Sequence, residues 1–155
     1  MAVPLLIFEI PKLKKLHINR IALITGSLLP DIIDKPFLFL GLGSGRFFSH
    51  SLIFILGAFL VLFLISKGNK EISYPFLIGM IFHLVLDLPY IPLLFPFIFY
   101  EYEILEDPLA VFIKRLFTNP IVISTEISGI IILIFIIVHN KLYNVKDFFK
   151  YLNST

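Results

Sequence analysis

Long apolar stretches separated by short polar breaks run through this chain, and their lengths match helices rather than strands. Residues 16–29 (LHINRIALITGSLL) follow a basic cluster at Lys12–Lys15 and end at Pro30-Asp31, which predicts a helix of roughly 21 Å at 1.5 Å per residue. Residues 47–66 (FFSHSLIFILGAFLVLFLIS) give the clearest span, closed by the turn residues Lys67-Gly68-Asn69. Residues 74–88 (YPFLIGMIFHLVLDL) predict a third helix, with Pro75 near its first turn where a missing N–H is harmless. Pro89, Pro92 and Pro96 then end it near Asp87, so residues 89–99 (PYIPLLFPFIF) read as a broken, interfacial or re-entrant piece. Residues 120–138 (PIVISTEISGIIILIFIIV) predict a fourth span, again opened by proline. The N-terminal charge order is that of a signal peptide, but no small-x-small cleavage site follows, so the first helix is read as retained. The expected fold is therefore all-α: one integral membrane domain over residues 1–155, built as a polytopic bundle of about four transmembrane helices with a broken or re-entrant segment after the third.

Composition strengthens this picture. Hydrophobic residues make up 58% of the chain against 15% charged, with mean hydropathy +0.96, and so few polar side chains cannot cover a water-soluble surface. Net charge is +2 and no basic run exceeds Lys12-Leu13-Lys14-Lys15, which gives no footing for nucleic acid as a partner. With no cysteine, any metal must be held by His and carboxylates. Lys and Arg number 4, 2 and 3 in residues 1–20, 67–73 and 139–155, against 2 each in 31–46 and 100–118. The positive-inside rule then places both termini and the 67–73 loop in the cytoplasm of a multi-pass inner-membrane protein. Glu101, Glu103, Glu106 and Asp107 form an acidic outer segment that reads as a solvated loop.

Ionisable residues inside spans cost about 2.5–3.5 kcal/mol each on insertion scales, so each needs a partner or a function. Here they are Asp31 and Asp34 at the end of the first helix, His50 in the second, His83 and Asp87 in the third, and Glu126 in the fourth. In alternating topology all six fall in the outer half of the membrane, at similar depth. His83 and Asp87 are one helical turn apart on one face, while Asp31 and Asp34 share a face if helical or flank a turn after Pro30. A glycine-rich loop, Gly41 to Gly45, can bring Arg46 and His50 over the aspartates. Two imidazoles and three carboxylates suit zinc, manganese or iron, with one open position for a water acidified by the ion. Each residue also has an ordinary alternative role: a hydrogen-bonded His-Asp pair, a capping Asp31, an interface His50, or Glu126 with Ser124, Thr125 and Ser128 as interhelical glue.

The blocks Gly26-Ser-Leu-Leu-Pro-Asp-Ile-Ile-Asp34, Gly45-Arg-Phe-Phe-Ser-His-Ser51 and Phe82-His-Leu-Val-Leu-Asp87 resemble the membrane-bound metal-dependent hydrolase family, the YdjM-like inner-membrane hydrolases. The resemblance covers about residues 17–100 and implies His17, Asp31, Asp34, His50, His83 and Asp87 as metal-site positions. Two features depart from the family pattern: Asp31-Ile-Ile-Asp34 lacks a following His, and only Gly45-Arg46 stands where a His-Arg is usual. The same order of residues is more loosely similar to zinc-dependent phospholipase C and P1 nuclease. By that likeness Asp31, His50, His83 and Asp87 would hold one ion, and His17 with a bridging Asp87 a second. If the first helix is continuous, however, His17 lies roughly 21 Å from Asp31.

These observations lead to an expected function: a metal-dependent hydrolase with one or two divalent transition ions, zinc first, cleaving a phosphoester or other ester of a lipid-like substrate. Arg46 would bind the phosphate, and Asp34 or Glu126 would act as general base. The alternative is a proton- or cation-coupled carrier using His83, Asp87 and Glu126, which at this size would need to work as a homo-oligomer.

Overall fold

A computed structural model describes residues 2–10, 18–40, 45–89, 91–101 and 107–153. Seven α-helices account for most of them: α1 (Ala2–Ile7), α2 (Arg20–Phe39), α3 (Leu52–Ile65), α4 (Lys70–Asp87), α5 (Pro108–Thr118), α6 (Pro120–His139) and α7 (Val145–Asn153). No strand occurs among the described residues.

Small polar residues, rather than the edges of apolar runs, set the helix starts. Asn19 accepts the Ala22 N–H at 2.9 Å, Ser51 the Phe54 N–H at 3.2 Å, Asn69 the Glu71 N–H at 2.9 Å, and Asn119 the Ile121 N–H at 3.0 Å. The first helix therefore begins at Arg20 and not at residue 16, and it does not stop at Pro30. It continues through Pro30 and Pro36 to Phe39. Its buried residues, Ala22, Leu23, Gly26, Ser27, Pro30 and Asp34, form one stripe that passes straight through the first proline, and burial along that stripe offsets the lost backbone bonds. The second helix begins at Leu52, because Phe48–His50 form a tight 3-10 turn and Ser51 is the cap. The third begins at Lys70, four residues before the expected start, and ends at Asp87 where the prolines begin. Part of the expected outer loop is helical: Asp107 caps α5 through the Ala110 N–H at 3.0 Å.

One helix, Pro120–His139, is long and apolar enough to cross a membrane by length and composition. The apolar α3 has 14 residues, while α2 and α4 carry ionisable residues. The four apolar stretches all fold as helices, but among the described residues one meets the requirements of a span.

The centre of the fold is the pair α2 and α4, which run parallel. A Cβ on Gly26 would overlap the Phe76 carbonyl, and one on Gly79 would overlap the Leu23 carbonyl and stand 2.8 Å from the Ser27 nitrogen. The two backbones are in contact, an approach that small residues permit between helices in lipid. Met80, Leu84, Ile55, Phe76 and Ala22 close one side of this pair, and Ile91 from the proline-rich segment packs against them. The Leu52 N–H donates to the Leu93 carbonyl at 3.0 Å, fixing that segment to the start of α3.

On the other side, Leu5, Leu23, Ile136 and Tyr151 bring α1, α2, α6 and α7 together. There the Tyr151 hydroxyl donates to Glu9 at 2.7 Å, and the Arg20 guanidinium lies 4.1 Å from the Tyr151 ring centre and donates to its carbonyl at 2.9 Å. Burial, and then the Glu9 carboxylate, hold the Tyr151 hydroxyl protonated well above the usual tyrosine range.

The glycines give a direct test. Gly26→Ala and Gly79→Ala should each destabilise the protein by about 1–3 kcal/mol, since backbone must move to admit the methyl group. Gly57→Ala and Gly129→Ala, which meet nothing within 4 Å, should be neutral or stabilising by up to about 1 kcal/mol. Thermal unfolding in detergent, followed by circular dichroism, separates the two pairs.

Candidate metal centre

Parallel packing of α2 on α4 places Asp31 and Asp34, late in α2, beside His83 and Asp87, late in α4. The turn between α2 and α3 supplies the third element. It is tied to α2 by two bonds: the Phe47 N–H donates to Asp34 Oδ2 at 2.6 Å, and the Ser49 hydroxyl to the Pro30 carbonyl at 2.8 Å. Ser49 and His50 are fully buried, as is Asp34.

His50 Nδ1 lies 2.7 Å from Asp34 Oδ2. An N–H donated to that carboxylate leaves Nε2 of His50 with its lone pair exposed on the opposite edge of the ring. That Nε2 faces His83 Nε2 at 3.1 Å. Asp31 Oδ1 lies 3.8 Å from each of the two nitrogens. The point equidistant from three atoms so arranged is about 2.1 Å from each, which is a zinc–nitrogen bond length. Asp87 Oδ2 lies 3.6 Å from each nitrogen, and its carboxylate also receives Arg46, with Nε at 3.2 Å and the terminal nitrogen at 3.1 Å. Lys35 holds the other oxygen of Asp31 at 2.8 Å.

Asp31, His50 and His83 thus form a group able to hold a metal ion, and two imidazoles with a carboxylate is a donor set that zinc and iron accept. Asp34 lies on the far side of the His50 ring from this point. Its Oδ1 is buried without a hydrogen-bond partner, so its charge is met on Oδ2 alone. Glu126 is exposed on α6 and lines a cavity of about 540 Å³ together with Asp31, Arg46, His83 and Asp87. His17 lies outside the described residues.

Sequence reasoning missed several contributors. Ser49 and the Phe47 N–H anchor the turn, and the signal for Ser49 was its place directly before His50. Lys35, one turn after Asp31, was legible only once α2 was known to continue past Pro30. Ala2 and Val3 also line the cavity, from a short helix that the sequence pattern did not mark.

An all-helical protein with a His-Asp cluster at one end of a close-packed helix pair is what this fold and site define. The chain belongs to the YdjM inner membrane protein family, whose model matches residues 1–146. That match carries the family and its membrane; it does not carry hydrolysis, zinc, or the likeness to zinc-dependent phospholipase C and P1 nuclease. No curated protein and no solved structure matches the chain.

The second bond of His50 predicts a graded effect. Asp34→Ala should weaken divalent-ion binding about 10–100-fold, as removal of such outer partners does. Lys35→Ala, which alters a half-exposed pair on the rim, should change it far less. Calorimetric titration of purified protein with zinc reads both.

Proposed function

We propose that this protein is a multi-pass membrane hydrolase that uses a divalent transition ion, zinc before manganese or iron, to cleave a phosphoester or other ester of a lipid-like substrate. The observation that carries this reading is the meeting of His50 Nε2, His83 Nε2 and Asp31 Oδ1 around one point, at the edge of a cavity large enough for a small ligand. His50, His83 and Asp31 would hold the ion, with Asp87 in reach as a fourth ligand. When bound, such an ion supplies Lewis acidity and a water acidified toward neutral pH.

The chain's own residues divide the remaining work. Asp34 orients His50 and fixes which of its nitrogens faces the site. Arg46, whose fork lies on the Asp87 carboxylate at the cavity, would exchange that carboxylate for the phosphate of a substrate. Glu126, exposed on the opposite wall, is the base that accepts a proton, since Asp34 already receives two donors and faces away. Leu28, Ile32, Pro36 and Phe39 line a groove of about 290 Å³ that reaches Asp31 from the outer face of α2. An acyl chain lying in that groove would bring its ester to the site from within the bilayer, which is the reason for preferring an amphiphilic substrate.

A carrier that passes protons or cations through Asp31, His83, Asp87 and Glu126 is the second reading, favoured by the presence of all four around one cavity.

Purified protein loaded with zinc should release phosphate or headgroup from a lipid phosphoester panel, lose that activity to a chelator and regain it with zinc. Glu126→Gln should lower kcat about 10²–10⁴-fold with little change in KM. Zinc-loaded, folded protein that hydrolyses none of the panel, yet takes up cations in response to a pH gradient, would replace the hydrolase with the carrier.

A further inference from the structure

At the end of the bundle away from the His-Asp cluster, both helices that run antiparallel to α2 and α4 close in the same way. In α3 the Gly68 N–H donates to the Phe63 carbonyl at 2.7 Å and the Lys67 N–H to Leu64 at 3.0 Å. In α6 the Leu142 N–H donates to Ile137 at 2.9 Å and the Lys141 N–H to Val138 at 3.2 Å. This is the capping motif that usually places glycine at the left-handed position. Here that position is lysine twice, Lys67 and Lys141, each with φ +54°. A cation therefore stands at each helix C-terminus at the same end of the bundle, in a backbone conformation that a side chain disfavours.

Helix α7 begins six residues after the end of α6, the helix long and apolar enough to cross a membrane, and so stands where a spanning α6 would leave the bilayer. Its sides are ordered. Tyr151 turns into the bundle and is 8% exposed, whereas Val145, Phe148 and Phe149, spaced i, i+3 and i+4, are 71%, 45% and 57% exposed. Lys146 and Lys150 follow Phe149 round the helix, about 60° and about 100° from it, and are exposed, while Asp147 lies beyond them, half-buried and accepting from the Asn144 amide. Tyr143, in the link to α7, is 67% exposed.

A helix anchored along one edge by Tyr151, with an exposed apolar strip bordered by lysines, has the order expected of a helix lying in a membrane surface. We propose that α7 lies flat on an anionic leaflet, with Val145, Phe148 and Phe149 among the lipid chains. Lys67, Lys141, Lys146 and Lys150 stand at the phosphate level. The occupant of this exposed face is anionic phospholipid, chosen by its charge complementarity to the lysines and by the continuity of α7 with the membrane exit of α6. The inference rests on α6 crossing the membrane and is independent of any hydrolytic activity.

The chain contains no tryptophan, so Phe149→Trp installs a single indole reporter in the full-length protein. The variant is reconstituted into phosphatidylcholine vesicles with and without phosphatidylglycerol, and its emission is recorded with and without brominated phosphatidylcholine. The expected result is blue-shifted emission that brominated lipid quenches, more strongly when phosphatidylglycerol is present. Lys146→Gln with Lys150→Gln should remove that added quenching. Val145→Trp gives the same readout at a second exposed position, should Phe149→Trp fail to fold. Emission typical of water and untouched by brominated lipid overturns the proposal. So does blue-shifted emission that brominated lipid leaves unchanged but that follows the protein-to-lipid ratio, which would assign the face to a second copy. Equal quenching with and without phosphatidylglycerol overturns the anionic requirement.

Discussion

The contact between the backbones of α2 and α4 at Gly26 and Gly79 is the constraint on which the rest of this structure depends. The two helices are parallel, so whatever distance separates their axes at that crossing is passed on to the side chains one to two turns later. Asp31 leaves one helix and His83 the other, and their polar atoms come within 3.8 Å. A methyl group at either glycine would have to be housed by moving backbone, because the atoms it meets are a carbonyl oxygen and an amide nitrogen. Widening the pair would draw Asp31 away from His83 before it disturbed either helix. Close approach without side chains is thus a stability device and a site-building device at once.

The polar groups collected by that packing follow one electrostatic rule. Three carboxylates in an otherwise apolar bundle each need positive charge or N–H donors, and each has its own source. Asp31 takes Lys35 one turn on, Asp87 takes the Arg46 fork, and Asp34 takes a backbone N–H and the His50 ring. On Asp31 this leaves Oδ1, the oxygen nearest the two Nε2 atoms, directed inward, whereas Asp87 Oδ2 shares its position between those nitrogens and Arg46 Nε. A divalent cation would answer the charge that remains. Because Asp34 is fully buried, the turn that carries His50 is fixed from below rather than free to swing, and the imidazole is presented in one orientation.

How much of this could be read from the sequence depended on which physical term set each feature. The approach of Asp31, His50, His83 and Asp87 was legible because ionisable residues in apolar stretches are costly, and reversal of the chain between consecutive helices brings those four to one end of the bundle. The continuation of α2 was not, since Pro30 and Pro36 are local stop signals that a long buried stripe overrides. The starts of α3 and α4 were misplaced because hydropathy marks where a chain can be buried, whereas Ser51 and Asn69 mark where a helix begins. Helices α1, α5 and α7 are too short or too mixed to produce an apolar run, although Asp107-Pro108 and the spacing of Val145, Phe148 and Phe149 carried the signal. Asp34 could be picked out as important but not given its place behind His50, because spacing alone does not say which side of a ring a carboxylate meets.

The central claim is that His50, His83 and Asp31 bind a transition metal. Elemental analysis of detergent-purified protein tests it most directly, with His50→Ala and His83→Ala prepared in parallel and folding checked by circular dichroism. The account predicts zinc, manganese or iron near stoichiometric amounts in the wild-type protein and its loss from both folded variants. Folded wild-type protein that carries no such ion and takes up none on incubation would contradict it.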